Sequence, residues 1–307
     1  MSAAERRFTE HRSLLFTVAY EMLGSAADAE DVVQEVWVRW SAAHADAGAT
    51  GADEIVHPRA YLVRITTRLA LNRMRTTARR REDYIGPWLP EPLLTVPDVL
   101  DDVVLAESVS MALLVVLESL APPERAVFVL REVFGYDYDE IAAAVDKSPA
   151  AVRQIAHRAR AHVQARRPRF DTDPQVVRQV MTGFQQSLHT GDVQGLMDLM
   201  APEVVLLSDG GGKRQAARNP VVGPWNVARF MVGIAGKADP DTVLEVVQVN
   251  GAPAWRITTG AALYGVFQLV VADGLIRQLL LVANPDKLSG LSGGVGPLDL
   301  PARSPGP

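Results

Sequence analysis

PRAYLVRITTRLALNRMRTTARRR, residues 58–81, contains eight arginines and no acidic residue. Its apolar side chains recur at three- and four-residue steps, which predicts an α-helix whose buried face includes Tyr61, Leu62, Ile65 and Leu69. Its arginines follow the same spacing on another face, although like charges four residues apart destabilise an isolated helix by about 0.2–0.5 kcal/mol per pair. A phosphate backbone would compensate that repulsion, so the stripe indicates a nucleic-acid contact, with a solvated basic face as the alternative.

Composition is typical of an ordinary globular protein of about two to three domains. The chain has 307 residues, of which 48% are hydrophobic and 22% charged. It has no cysteine, which excludes disulfides and thiolate zinc sites. The first residues are charged and no apolar run approaches the roughly eighteen residues of a membrane helix, so we expect a cytoplasmic protein with no membrane contact.

The net charge is −5, yet the positive charge is concentrated in two windows. Residues 59–81 and 147–169 together carry 15 of the 31 lysines and arginines and no acidic residue, which indicates two separate anion-binding surfaces. Between them, residues 82–124 contain nine carboxylates and no lysine or arginine. Prolines in residues 84–97 predict an ordered or semi-extended linker there, either inert or acting as an acidic cover for the basic windows.

Residues 28–40, DAEDVVQEVWVRW, predict an amphipathic helix that precedes the arginine-rich one. Its polar side carries Asp31, Gln34 and Glu35, which have no partner nearby in the sequence. We therefore expect this face to be available to another molecule, with an ordinary surface helix as the alternative. The apolar side consists of Ala29, Val32, Val33, Val36, Trp37 and Trp40.

Residues 137–165 predict a helix-turn-helix. Asp137 caps a short first helix, and Ser148 followed by Pro149 starts a longer second one. Ala142 is small enough for the two helices to cross closely. In a recognition helix, early outward residues reach base edges in the major groove and later basic ones reach phosphate. The outward residues here are Arg153, Gln154, His157, Arg158 and Arg160, of which His157 could equally be a surface histidine with no role.

Two of these patterns resemble a known family. D-A-E-D-x-x-Q-E-x-W-x-R, a loop, and P-R-A-Y-L-x-R-I-x-x-R-L-A-x-N-x-x-R together resemble region two of bacterial extracytoplasmic-function (ECF) sigma factors. The resemblance implies that the first helix docks on core RNA polymerase and that the second contacts the promoter −10 element. It also implies a loop that captures melted bases, for which residues 47–57 are the candidate. The helix-turn-helix would then be region four, which binds the −35 element.

The resemblance assigns roles to individual positions. The core-polymerase contacts would be Asp31, Gln34, Glu35 and Trp37, and the −10 contacts would be Arg64, Arg68, Asn72, Arg75 and Arg79. The outward residues of the helix-turn-helix would contact the −35 element.

Beyond Phe170 the pattern changes to helices followed by strands. We expect helices at residues 174–190, 193–200 and 225–235, and strands at residues 204–208, 242–249, 254–259, 263–272 and 275–282. Asn250-Gly251 and Asp273-Gly274 are hairpin-turn signals. This order resembles the SnoaL-like α+β cone of polyketide cyclases and isomerases.

Three five-residue sequence motifs, called words below, narrow the resemblance to ECF sigma factors with a fused SnoaL-like domain. They are WLPEP (residues 88–92), DGGGK (residues 209–213) and NPDKL (residues 284–288). The resemblance implies regulation by the fused domain, with no separate anti-sigma factor. We expect the second and third words to hold the first, with Asp286 and Lys287 pointing outward. The residues concerned are Trp88, Leu89, Pro90, Glu91, Pro92, Asp209, Gly210, Gly211, Gly212, Lys213, Asn284, Pro285, Asp286, Lys287 and Leu288.

Two other classes of function stay open as alternatives. SnoaL-like cones can hold a carboxylate that acts on a carbon acid, and the candidates are His189, Asp209, Tyr264 and Asp286. Asp209 and Asp286 are expected in loops rather than in a pocket wall, so the sequence predicts no catalytic residue, no metal and no cofactor. A helix-turn-helix regulator with a ligand-sensing cone is the other alternative, and it leaves residues 28–40 without a role.

The sequence therefore predicts a sigma factor that directs RNA polymerase to promoter DNA and is not itself an enzyme. The expected fold is multidomain, with two all-α sigma domains followed by an α+β SnoaL-like cone. The expected boundaries are residues 1–83 for region two, 84–100 for the linker, 101–170 for region four, 171–288 for the cone and 289–307 for a disordered tail. A small ligand of the cone stays open.

Overall fold

The computed structural model describes residues 2–50, 55–95, 110–166 and 173–292. These residues form two compact units. The helical unit contains the described residues up to Glu82 together with residues 110–166, and the cone unit contains residues 83–95 and 173–292. No helix within these ranges is both long and apolar enough to cross a membrane.

The helical unit consists of seven helices within the described ranges. They are α1 (Ala3–Leu23), α2 (Ala26–Thr50), α3 (Pro58–Glu82), α4 (Met111–Leu117), α5 (Pro122–Phe128), α6 (Tyr138–Val145) and α7 (Pro149–Arg166). A π-helical turn, Val129–Val133, continues α5, so the backbone hydrogen-bond pattern changes part-way along this helical segment.

Local signals fix most of these helix ends. Ser2 and Glu5 form a capping box at the start of α1, and Gly24 ends the helix in the left-handed conformation at φ 67°. Asp137 and Glu140 form a second capping box at the start of α6. Ser148 accepts a hydrogen bond from the backbone N–H of Ala151 at the start of α7.

The helix α2 is longer than the sequence predicted. It continues past Trp40 to Thr50, so the first residues of the expected base-capture loop, 47–57, have helical backbone. That part of the loop prediction is wrong. Residues 51–54 of the same loop lie outside the described residues.

The cone unit is a six-stranded sheet packed against three helices. The helices are α8 (Pro174–Thr190), α9 (Val193–Asp198) and α10 (Pro224–Ala235), and the strands are β1 (Met200–Asp209), β2 (Val221–Val222), β3 (Thr242–Val249), β4 (Ala252–Thr259), β5 (Ala262–Ala272) and β6 (Leu275–Val282). The strand order is β2-β1-β6-β5-β4-β3, in which β1 and β6 run parallel and the other neighbours antiparallel. The predicted α+β architecture is confirmed.

Both predicted hairpin turns are present. Asn250 and Gly251 have φ values of 51° and 75°, and Asp273 and Gly274 have values of 54° and 72°. Positive φ at both central residues is what a two-residue hairpin turn of type I′ requires. The core between sheet and helices is aromatic at its centre, where the rings of Phe184, Trp255 and Phe267 lie within 6 Å of one another by centroid.

The first residues of the expected tail, 289–292, are helical rather than disordered. A short helix, α11 (Ser289–Ser292), follows the last strand, and Leu291 in it is buried. Residues 293–307 lie outside the described residues.

Candidate functional sites

The polar face of α2 is exposed but not free of partners. Asp31, Gln34 and Glu35 are exposed, and Trp37 is half-buried with its ring 5.0 Å from that of Phe8. Contrary to the expectation from sequence, two of the acids are paired. The Arg73 guanidinium donates to Asp31 at 2.9 Å, and the Arg39 guanidinium donates to Glu35 at 2.6 Å.

Arg73 ties the arginine-rich helix to α2. Its guanidinium donates twice to Asp28, at 2.9 and 2.6 Å, and once to Asp31. The hydrogen bond to Asp28 raises the pKa of Arg73 above its usual range. This arginine therefore holds two helices together and does not belong to the stripe that faces outward.

The predicted stripe on α3 is present for the residues whose side chains are described. Arg68, Asn72 and Arg75 are exposed, and Arg75 donates to the Asn72 side chain at 3.2 Å. Arg64 is half-buried because its guanidinium lies 5.4 Å from the centre of the Tyr61 ring. Arg79 lies in the helical backbone of α3, but its side chain is outside the described part.

The second helix of the helix-turn-helix presents the predicted residues. Arg153, Gln154, His157 and Arg158 are exposed, whereas Val152, Ile155 and Ala159 are buried. Arg160 is only partly exposed, because its guanidinium donates twice to Glu132, at 2.6 and 3.1 Å. That hydrogen bond raises the pKa of Arg160. Arg160 must exchange this carboxylate for a phosphate if it is to contact DNA.

In the cone unit, Asp209 is the centre of a cluster that holds the linker. It ends β1 with its side chain fully buried, rather than lying in an open loop as the sequence suggested. It accepts hydrogen bonds from the backbone N–H of Leu89 at 2.9 Å, from the Tyr84 hydroxyl, and from Lys287 Nζ at 2.7 Å. Burial, reinforced by the hydrogen bond to Asp209, raises the pKa of Tyr84 well above its usual range.

Lys287 points inward, so the prediction that it projects outward is wrong. Its side chain is 3% exposed, and Nζ donates to the carbonyl oxygen of Leu89 at 2.5 Å in addition to Asp209. The same nitrogen lies 3.2 Å from the centre of the Trp88 ring. Lys287 and Asp209 thus bind both backbone polar groups of Leu89, the second residue of the WLPEP word.

A glycine allows the other two words to touch. Gly211 has φ 59°, and a Cβ there would lie 2.3 Å from the side-chain nitrogen of Asn284. Asn284 donates from that nitrogen to the Tyr84 hydroxyl at 2.7 Å. On the outside, Lys213 and Asp286 form an exposed pair at 2.6 Å. We call the contacts of Tyr84, Leu89 and Trp88 with the DGGGK and NPDKL words the linker clasp.

The linker has a second anchor that the sequence analysis missed. Leu93 donates its N–H to the side-chain oxygen of Asn250 at 2.9 Å, and its carbonyl accepts from the Asn250 N–H at 2.9 Å. Leu94 pairs with Val249, and Thr95 donates its N–H to the Gln248 carbonyl at 3.1 Å. The linker thereby adds a short antiparallel segment to the edge strand β3. The Asn-Gly signal predicted the turn but carried no information about this second role.

The candidates for catalysis are mostly engaged by other residues. Asp209 belongs to the linker clasp, Asp286 pairs with Lys213, and the Arg214 guanidinium lies 5.0 Å from the centre of the Tyr264 ring. His189 is exposed near the end of α8. Among the described residues, no group of three or more His, Asp or Glu is placed to hold a metal ion.

Comparison with known proteins identifies the family. Residues 7–80 match the family model of Sigma-70 region 2, and residues 110–163 match that of Sigma-70 region 4. The chain is 36% identical over 305 residues to the ECF RNA polymerase sigma factor SigJ of Mycobacterium tuberculosis, covering 92% of each chain. This chain belongs to the ECF sigma factors.

Further similarities agree with this assignment. The chain is 32% identical to the probable ECF sigma factor SigI of the same species, over 93% of this chain and 95% of SigI. The crystal structure of M. tuberculosis SigJ has a TM-score of 0.73 at 32% identity and covers 94% of this chain and 99% of that one. The RpoE sigma factor of Bartonella quintana, solved with the anti-sigma factor NepR, covers 52% of this chain and 94% of its own at 18% identity, with a TM-score of 0.40. The last value is too low for any inference about partners.

The predicted fold class is therefore confirmed. This ECF sigma factor has helical sigma domains followed by a SnoaL-like α+β domain, and the predicted family and function as a sigma factor are confirmed with it.

Proposed function

We propose that this ECF sigma factor contacts core RNA polymerase through the polar face of α2 and promoter DNA through α3 and α7. The support is the exposure of polar and basic side chains on these three helices, whose opposite faces are buried. Charged side chains on exposed faces steer association and position phosphates, whereas outward side chains early in a recognition helix read bases. The proposed −10 contacts are Arg64, Arg68, Asn72, Arg75 and Arg79, and the proposed −35 contacts are Arg153, Gln154, His157, Arg158 and Arg160.

The fused domain regulates this activity in cis by holding the linker. The observation that carries the proposal is the buried Lys287, which binds Leu89 and Asp209 together. Residues 83–95 make up about half of the connection between α3 and the described start of α4. A connection that is docked over half its length has far less freedom than a flexible chain, so the clasp restricts how far regions two and four can separate.

A regulator built into the chain makes a separate anti-sigma factor unnecessary. The cone acts here as a structural clamp, in which Asp209 accepts from three donors. A protein that works with RNA polymerase and promoter DNA works in the cytoplasm. We assign no cofactor to the cone, and a small ligand that displaces the linker stays open as the activating signal.

Run-off transcription with purified core polymerase tests the proposal. The wild-type chain is expected to support transcription from a promoter selected from a random library, and core polymerase alone is not. Lys287→Met releases the linker and is expected to change that transcription several-fold, whereas Lys213→Met, in the exposed pair, leaves it within about twofold. Co-purification with core tests the α2 assignment separately. Failure of the wild-type chain to co-purify with core polymerase would contradict the α2 assignment. Equal transcription by both variants and the wild type would contradict regulation through the linker.

A further inference from the structure

One arginine of the second helix of the helix-turn-helix lies against an aromatic ring. Arg153 is near the start of α7, is exposed, and has its guanidinium carbon 5.5 Å from the centre of the Tyr138 ring. Tyr138 is the first residue of α6, the other helix of the helix-turn-helix. From this contact we infer that Tyr138 is a positioning residue, which orients Arg153 for reading one base of the −35 element. The inference rests on the proposed −35 contact of Arg153.

The other two arginines proposed as −35 contacts are held by carboxylates. Arg158 Nε lies 3.6 Å from Glu124, and the Arg160 guanidinium donates twice to Glu132. Each of these side chains must leave its carboxylate before it can bind an acceptor of the DNA. The contact of Arg153 is of another kind, since the face of a ring attracts a cation without taking up the N–H donors that lie in the guanidinium plane.

Stacking and base recognition use different parts of a guanidinium. A ring attracts the cation when the guanidinium lies over it, within about 6 Å of the ring centre. A guanine is read through the edge of the guanidinium, by two parallel N–H donors. Arg153 can therefore keep its contact with Tyr138 while it binds a base. The ring restricts the directions of a long side chain before the DNA arrives, so binding costs less conformational entropy.

A second arginine fixes the ring that holds Arg153. The Arg131 guanidinium carbon lies 4.7 Å from the centre of the Tyr138 ring. Arg131 is itself held in place, because its Nη1 donates to the carbonyl oxygen of Tyr136 at 2.8 Å and lies 3.7 Å from Asp137. Tyr138 follows directly after the Asp137 cap of α6, so its backbone is fixed as well. The ring therefore has a defined direction, which a positioning residue requires.

The hydroxyl of Tyr138 has a separate neighbour. The hydrogen bond to Glu132 raises the pKa of Arg160, and a weaker one with Tyr138 raises it further. Arg160 is a later basic residue of α7, and such positions reach phosphate rather than base edges. Removing the hydroxyl is therefore expected to affect promoters of all sequences alike, whereas removing the ring affects the base that Arg153 reads.

Promoter discrimination by the holoenzyme tests the inference. The probes are the promoter selected from a random library and versions of it with single base-pair changes in the −35 element. At limiting holoenzyme, run-off transcription from each version relative to the selected promoter gives the discrimination at that position. The test variants are Tyr138→Leu, which removes the ring, and Tyr138→Phe, which keeps it. The matched control is Trp225→Leu, which removes a ring that lies 5.5 Å from another exposed arginine, Arg229, in the cone unit.

The inference predicts a loss of discrimination confined to one base pair. Arg153→Ala identifies the position that Arg153 reads. Tyr138→Leu is expected to reduce discrimination at that position about two- to fivefold, the usual effect of an exposed cation–π contact, and to leave the other positions unchanged. Tyr138→Phe is expected to retain the discrimination, and Trp225→Leu to leave it unchanged. Tyr138→Leu combined with Arg153→Ala is expected to lose no more than Arg153→Ala alone, because the tyrosine acts through the arginine.

Three results would overturn the inference alone. The first is unchanged discrimination at the Arg153 position in Tyr138→Leu, with Tyr138→Gln deciding if that variant fails to fold. The second is an equal loss at every −35 position, which would assign Tyr138 to the stability of the helix-turn-helix. The third is greater discrimination without the ring, which would mean that Tyr138 withholds Arg153 from the DNA. If Arg153→Ala itself changes no position, the proposed −35 contact is wrong and the inference falls with it; that result is told apart from the others because Tyr138 is intact.

Discussion

Hydrogen exchange at Leu89 can measure how strongly the clasp holds the linker. The two DGGGK–NPDKL ion pairs make a matched comparison, since each joins a lysine to an aspartate. Lys287–Asp209 is 3% and 0% exposed, whereas Lys213–Asp286 is 55% and 61% exposed. Removing one partner of a buried pair destabilises by about 3–5 kcal/mol, because it leaves a charge without compensation. An exposed pair contributes about 0–1 kcal/mol.

The structure places the destabilisation expected from Lys287→Met near the lower end of the range of about 3–5 kcal/mol. Asp209 keeps the Leu89 N–H and the Tyr84 hydroxyl as donors, so the closed state loses about 3 kcal/mol relative to the released linker. At 1.36 kcal/mol per tenfold change, exchange of the Leu89 amide is expected to accelerate about 150-fold. Lys213→Met is expected to accelerate it by no more than about fivefold.

The assay is hydrogen–deuterium exchange resolved to peptides of residues 84–95. The Asn250 amide, which donates to the Leu93 carbonyl, reports the second anchor. Peptides from β5 and β6 report whether the cone remains folded. Equal acceleration by Lys213→Met and Lys287→Met, with both strands still protected, would refute the reasoning that burial makes Lys287 the main contact. Loss of protection in the strands would instead show that Lys287 is needed for the cone itself.

Three further predictions concern the helical unit. Glu35→Lys is expected to abolish co-purification with core polymerase while leaving the free energy of unfolding within about 0.5 kcal/mol of wild type, because Glu35 is exposed and pairs with the exposed Arg39 in the next turn. Retained binding would contradict the α2 assignment. Arg153→Ala is expected to change the preferred −35 sequence by about 1–3 kcal/mol of discrimination, measured by selection from a randomised element, and an unchanged consensus would mean that another residue reads the base. Burial lowers the pKa of His11 in the folded protein, so on acidification the unfolded chain binds a proton at this residue first. The free energy of unfolding is therefore expected to decrease as the pH falls below about 6.5, and His11→Gln is expected to reduce that decrease in denaturant titrations at several pH values. An unchanged pH dependence in the variant would mean that other groups cause the decrease.

Helix ends and hairpins were predictable from sequence because their causes are local. The strands β3 and β6 have the predicted bounds, Thr242–Val249 and Leu275–Val282, since turn signals stand directly beside them. The capping boxes of α1 and α6 and the Gly24 helix end need only a few neighbouring residues. The helix α2 runs through Gly48 to Thr50, so the glycine there does not end it and the predicted end fell too early.

The partners of charged residues were not predictable, because they lie far away in the sequence. Arg73 binds Asp28 and Asp31 across more than forty residues, and no spacing rule selects it from the eight arginines of its window. The inward direction of Lys287 depends on Leu89, which is 198 residues away. Patterns of apolar residues predict which face of an element is buried, but they do not report a buried charge whose partner comes from another segment.

The two words of the clasp show how such a partnership becomes specific. DGGGK has an inner acid, Asp209, and an outer base, Lys213, whereas NPDKL has an outer acid, Asp286, and an inner base, Lys287. The DGGGK loop therefore supplies the acid of the inner pair and the base of the outer pair, and the NPDKL loop supplies the opposite charges. A shift of either loop by one residue would bring two like charges together or bury a charge without a partner. The inner pair also needs its own polarity, because Asp209 accepts from the Leu89 N–H while Lys287 donates to the Leu89 carbonyl. Exchanging Asp209 and Lys287 would keep the ion pair but place a donor against a donor and an acceptor against an acceptor. Exchanging Lys213 and Asp286 faces no such constraint, since both side chains end in solvent. The clasp thus recognises the linker through its backbone as well as through its WLPEP side chains. The acid and the base of the inner pair cannot be exchanged, because each is matched to one backbone group of Leu89.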